Sequence, residues 1–169
     1  MTITPEMRER IAELLSREPR GLEAVSVARE DGQPVVIRVA PLVDDRPFPT
    51  LFWLVDPDLC YRIDGVEAGG LIRELQRQVD ASAALRRRMR EDHRAHIALR
   101  DRYIDAARRE RLAELGFSTV FDERGIGGIA DFSRIRCLHT WYAAHLVVPN
   151  TIGAMLDDLW AQQAAQGQQ

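Results

Sequence analysis

The residues best suited to chemistry are concentrated between Arg124 and Asn150, where Gly125, Gly127 and Gly128 precede Asp131, Arg134, Arg136, Cys137, His139 and His145. Two of the four histidines of the chain fall in this stretch. Glycines so close together exclude a helix or strand interior and predict a loop with unusual backbone dihedrals. Such a loop, running into a helix start, can present unsatisfied amides to an anion, and arginine forks add bidentate charge to a phosphate or carboxylate. The expectation is a pocket for a small anion built from Arg124, Gly127, Gly128, Arg134, Arg136 and His139, with His93 approaching from a long helix upstream. His139 would supply its titratable group and Cys137 would pack behind it. The run G-I-G-G-I-A is not the dinucleotide fingerprint, and no lysine follows it as a P-loop demands. A structural turn flanked by solvated arginines is the competing reading.

Cys137, His139 and His145 also form a C-x-H-x5-H pattern, which with His93 or His96 could furnish a zinc or iron shell and so a metal-dependent enzyme. On one continuous helix Cys137 and His139 project about 200° apart, so convergence requires Cys137 to lie before the helix starts. The favoured expectation is that little metal binds: Cys137 is a small buried hydrophobe and each histidine bonds a backbone carbonyl or an acid. A nucleophilic Cys137 assisted by His139 is a third option, because neighbouring arginines and a helix start lower a thiol pKa. No cofactor motif is present, and no cofactor is expected.

These residues must be held by elements whose signals are local. Thr4-Pro5 opens an amphipathic helix with Met7, Ile11, Leu14 and Leu15, ending near Arg17. Val25 and Val27, the Asp31-Gly32 turn, then Val35, Ile37 and Val39 predict a hairpin, with a third strand over 50–55. Pro41, Pro47 and Pro49 mark the connection as loop. Asp56-Pro57 starts a helix that Gly69-Gly70 breaks. From Leu71 the apolar spacing runs almost to Gly116 and predicts one long helix over about 80–115, burying Leu85, Met89, Ile97 and Ile104 with its arginines in water. A short helix is expected around 135–147, stopped by Pro149, and Asn150 caps the last, whose face is Ile152, Met155, Leu156, Leu159 and Trp160. Phe52, Trp53, Trp141, Tyr142 and Trp160 read as core.

Between Ser82 and Arg111 there are ten arginines and five carboxylates, a local +5 in a chain of net charge −3. That helix could serve a protein or nucleic-acid interaction module. Interleaved acids and the near absence of stacking aromatics favour an ion-paired exposed helix instead, so nucleic acid is disfavoured as a partner. All 23 basic residues are arginine, which excludes Schiff-base and pyridoxal-anchoring chemistry. The 169 residues, 46% hydrophobic and 29% charged, suit one globular domain. Two cysteines, Cys60 and Cys137, are too few for a secreted scaffold, and no apolar run approaches the ~20 residues of a membrane span. A cytoplasmic protein without membrane contact is expected, with its oligomeric state left open. The fold class predicted is α+β, a small antiparallel sheet covered by helices, one of them long and arginine-rich. It forms a single domain over 1–169: helix and hairpin over 4–40, a helical remainder over 56–163, and a frayed tail over 164–169.

P-T-L-F-W-L at Pro49 to Leu54, G-G-I-A-D at Gly127 to Asp131, R-C-L-H at Arg136 to His139 and N-T-I-G at Asn150 to Gly153 form an ordered set. On these motifs the chain, from about Pro49 onward, resembles the bacterial, mainly actinobacterial, domain-of-unknown-function family number five hundred and one. This chain departs from it in carrying Thr151-Ile152 where N-P-V-G is usual. The resemblance implies a fold and a candidate surface but no reaction. Gene neighbourhoods of that family include an exopolyphosphatase, an association that tilts expectation towards a phosphate-type ligand.

Overall fold

The structure is a computed structural model and describes residues 3–167. Thr4 caps the first helix, α1 (Pro5–Leu15), its hydroxyl accepting from the Met7 amide at 3.2 Å. Pro5 sits in the first turn, where its missing amide would have had no partner anyway. The hairpin follows as β1 (Leu22–Ala28) and β2 (Pro34–Val39), antiparallel, with Val25 opposite Ile37. The proline-marked connection, expected as plain loop, holds a two-stranded ribbon, β3 (Leu42–Val43) and β4 (Arg46–Pro47). Its corner residues Asp44 and Asp45 both take left-handed φ, the geometry of a tight two-residue hairpin turn in which aspartate is tolerated.

β5 (Phe52–Leu54) pairs with the other edge of β2, giving the order β1-β2-β5. As the central strand, β2 is buried on both faces. Ile37 and Val39 meet Ile11, Leu22 and Val25 beneath α1, whereas Val36 joins Phe52, Leu54 and Trp141 in the main core. That larger core is roofed by α2 (Pro57–Ala68), α3 (Leu71–Ala81), α4 (Ala83–Asp101), α7 (Leu138–His145) and α8 (Thr151–Gln166). The architecture is α+β, with α1 on one face of a small antiparallel sheet and the helical mass on the other.

The helix expected over about 80–115 is interrupted twice. Ser82 leaves helical geometry and caps α4 by accepting from the Leu85 amide, and Asp105 does the same for α5 (Ala106–Glu114) by accepting from Arg108. Short polar side chains compete for backbone amides and break a helix that apolar spacing would carry through. The arginine-rich helix proper is α4. Of the face expected, Met89 is buried on α4 and Ile104 just beyond it, while Leu85 and Ile97 are only half-buried, and His93, His96 and Arg100 are buried with Met89. Beyond it come α6 (Ser118–Glu123) and a single 3-10 turn, Ile126–Gly128. Asn150 caps α8 through the Gly153 amide at 2.8 Å, and α8 continues to Gln166, into the stretch expected to fray. Gln168 and Gln169 lie outside the described residues. Among the described residues no helix is long and apolar enough to cross a membrane.

Candidate functional site

The glycine loop is packed, and its amides are used internally. The Gly125 amide donates to the Ile129 carbonyl at 2.8 Å, Gly128 to the Gly125 carbonyl at 3.0 Å, and Ile126 to His93 Nδ1 at 3.0 Å. A Cβ on Gly125 would stand 2.2 Å from His93 Nδ1, and Gly127 and Gly128, both at positive φ, press against Thr140 and Pro49. Here glycine serves close packing against Thr140 and Pro49. His93 is fully buried, stacked on Phe132 and edge-on to Trp141; burial lowers its pKa to about 4, which leaves it a neutral acceptor inside the core. The Arg124 carbonyl accepts from Arg100 at 2.7 Å while its own side chain points to solvent. Four of the residues expected in the pocket, Arg124, Gly127, Gly128 and His93, thus lie away from the surface that Arg134 and Arg136 line.

Arg134 and Arg136 share one groove, but with partners other than the glycine loop. Gln76 of α3 positions them: its amide nitrogen donates to the Ser133 carbonyl at 2.9 Å and its oxygen accepts from the Ile135 amide at 3.0 Å. This two-way clamp lays 133–136 along α3, whose Arg73 and Arg77, one helical turn apart, face the same groove. The groove has a volume of about 680 Å³, and Glu67 and Asp80 supply the acidic part of its wall. Arg134 makes a loose ion pair with Asp131 at 3.7 Å. Among the described residues Arg73, Arg77 and Arg136 make none.

Beside the groove, Cys137 and His139 do converge. Cys137 is the extended residue preceding α7, at φ −148°, and His139 lies in the first turn, so the opposed projection of a continuous helix does not apply. Cys137 Sγ is 3.7 Å from His139 Nδ1. The same ring nitrogen is 3.6 Å from Glu67 Oε1, and His139 Nε2 is 3.3 Å from Asp64 Oδ1. Glu67 is held in place because Oε1 accepts from the Leu138 amide at the start of α7, at 2.6 Å. Burial opposes ionisation of the Cys137 thiol, yet the His139 contact and a backbone bond from Thr140 outweigh it and hold the pKa below the ordinary value. His139 is shifted upward, chiefly by Cys137 and against its own partial burial. The arrangement can stabilise a thiolate and can offer sulfur, nitrogen and oxygen donors to one point. His145 is not part of it: Nδ1 accepts from the Asn150 amide at 3.0 Å and Nε2 meets Asp157 at 3.0 Å, tying α7 to α8.

Half of the ten arginines between Ser82 and Arg111 are spent on structure. Arg86 donates to the Val79 carbonyl at the end of α3, Arg109 and Arg111 pair with Asp101 and Asp45, Arg108 pairs with Glu23, and Arg100 is buried. Sequence reasoning missed Asp64 and Glu67, and Arg73 with Arg77. Their spacings of three and four put each pair on one helix face, but a face shared by two charged residues usually means solvent.

Comparisons with curated proteins and with solved structures gave no match. Residues 25–158 match the family described as Protein of unknown function (DUF501), so the match begins within β1, well before Pro49, and takes in the groove, the Cys137–His139 cluster and the glycine loop. The chain belongs to that family.

Proposed function

We propose that the protein binds a small anionic ligand of phosphate or carboxylate type in the groove between α3 and the 134–136 segment. The observation that carries this reading is that four arginines from two segments, Arg73, Arg77, Arg134 and Arg136, line one groove, three of them without an ion-pair partner among the described residues. Against them stand two carboxylates in the wall, Glu67 and Asp80, which leaves a cationic surplus. Arginine forks match the planar oxygens of such ligands and tolerate partial desolvation better than lysine.

Isothermal titration with inorganic phosphate, polyphosphate, nucleotides and RNA tests the reading. Stoichiometric binding of a small anion is expected, and Arg136→Ala should weaken it by about 1.5 to 3 kcal/mol with the circular dichroism spectrum unchanged. Gln76→Ala, which releases the 133–136 segment, should weaken it as well. Binding restricted to polymers, with a steep salt dependence that Arg136→Ala leaves unmoved, would transfer the role to the exposed arginines of α4.

A further inference from the structure

We infer that Glu67, Cys137 and His139 form a binding site for a divalent transition-metal ion of the zinc class, with Asp64 orienting His139. This goes beyond anion binding in the groove and does not depend on it.

The first support is geometric. The three donor atoms all lie within 4.8 Å of one another. In a tetrahedral zinc shell, with bonds of about 2.3 Å to sulfur and about 2.1 Å to nitrogen and oxygen, the S···N edge is about 3.6 Å and the N···O edge about 3.4 Å. The corresponding separations are 3.7 Å for Cys137 Sγ to His139 Nδ1 and 3.6 Å for His139 Nδ1 to Glu67 Oε1. At 3.6 Å the second is too long for a hydrogen bond, so a carboxylate oxygen and a sulfur sit around one ring nitrogen at the edge lengths of a coordination tetrahedron.

The second support is independent of that triangle. A metal-bound histidine almost always donates its other ring N–H to a carboxylate or carbonyl, which fixes the tautomer and orients the ring. His139 Nε2 lies 3.3 Å from Asp64 Oδ1, which places a carboxylate beside the ring nitrogen that faces away from the triangle, and Nδ1 is the nitrogen near Cys137 and Glu67. Glu67 is itself oriented by the Leu138 amide at 2.6 Å. Both ligands from different segments therefore have outer contacts that hold them in place.

The third is charge. Asp64 and Glu67 bring two carboxylates, and Cys137 a sulfur, around a single imidazole, an arrangement that a divalent cation would complement. Sulfur, nitrogen and carboxylate together select zinc or cobalt over magnesium or calcium, which take oxygen donors. Three protein ligands leave a fourth position for water or another small molecule. Glu67 belongs both to this cluster and to the wall of the arginine groove, so the two sites adjoin.

The test uses the full-length chain, purified without a histidine tag, stripped with chelator and titrated with Co²⁺ in buffer free of phosphate, then with Zn²⁺. One equivalent of cobalt should bring up a thiolate-to-cobalt charge-transfer band with tetrahedral ligand-field bands, and one equivalent of zinc should bleach them. Cys137→Ser should abolish the charge-transfer band, Cys60→Ser should retain it, and Asp64→Asn should weaken affinity by about 10- to 100-fold. Absence of the band in the wild-type protein would overturn the inference whatever the variants do. A band that survives Cys137→Ser, or one lost in a Cys60→Ser protein of unchanged circular dichroism, would overturn it too. Because no anion is present, failure here leaves the groove reading standing, and failure of the anion titration leaves this one standing.

Discussion

Arg100 shows how much one side chain can be asked to hold. It is 1% exposed and has no carboxylate partner among the described residues, yet its guanidinium donates to the Pro49, Phe121 and Arg124 carbonyls at 2.7, 2.5 and 2.7 Å. Burial lowers its pKa to about 10, still well above neutrality, so the charge is kept and shared among three backbone dipoles and the Phe121 ring. The side chain thereby fastens the entry to β5 and the end of α6 to α4. Arg100→Leu removes the charge but strands three carbonyls, and should cost about 3 to 5 kcal/mol in urea unfolding. Arg100→Lys should recover only part of that, because one ammonium cannot reproduce a planar fork. By contrast, the exposed pairs of Arg8 with Glu18 and Arg20 with Asp44 are solvated, and their removal should be nearly neutral.

At the scale of elements, two glycines of opposite kind make a paired prediction. Gly125 lies where a Cβ would stand 2.2 Å from His93 Nδ1 and displace the ring that accepts from the Ile126 amide, so Gly125→Ala should lose about 2 kcal/mol or more by thermal unfolding. Gly65 lies inside α2 with nothing within 4 Å of a built Cβ, so Gly65→Ala should gain about 0.5 to 1 kcal/mol, the conformational entropy that glycine wastes in a helix. The boundaries of the elements follow rules that act over three or four residues. Thr4, Asp56, Ser82, Asp105 and Asn150 each accept from an amide two or three positions on. At Thr4, Asp56 and Asn150 a proline or an apolar face accompanies the cap and marks the helix start in the sequence. At Ser82 and Asp105 the apolar spacing continues across the cap, so the sequence alone does not mark the break.

The whole molecule is built around neutral histidines, and that has a pH consequence. Burial lowers the pKa of His93 to about 4 and of His96 to about 3, Arg100 and His93 adding to the effect on His96. Both values lie below the ~6.5 of an unfolded histidine, so between about pH 6.5 and 4 the unfolded chain binds protons that the native chain refuses. Stability should be flat above pH 7 in this respect and fall as pH drops, the pair contributing a loss of about 4 kcal/mol between pH 7 and 5. His139, shifted upward, acts in the opposite sense and offsets part of it. Urea midpoints at pH 7, 6 and 5 check the trend, and His96→Gln should flatten it; equal stability at all three pH values would refute the assignment.

How much of this was legible in the chain depends on the distance over which each cause acts. The α+β class, the hairpin, the caps of α1, α2 and α8, the aromatic core and the loop at Gly125 are determined by residues within a turn or two of one another, where propensity, capping and alternation operate without knowledge of the rest. The burial of His93 and Arg100 was not legible, because the Ile126 amide and the Pro49, Phe121 and Arg124 carbonyls that meet them come from distant segments, and His96 is buried by packing against Phe52. Arg134, Arg136, Cys137 and His139 could be singled out by type, but their partners could not. Gln76 bonds Ile135 across 59 residues and Glu67 bonds Leu138 across 71, and those two contacts bring α3 to the arginines and α2 to the cysteine and histidine. Which side chains surround a donor atom is a property of packed surfaces meeting in space, and that was decided by the tertiary structure alone.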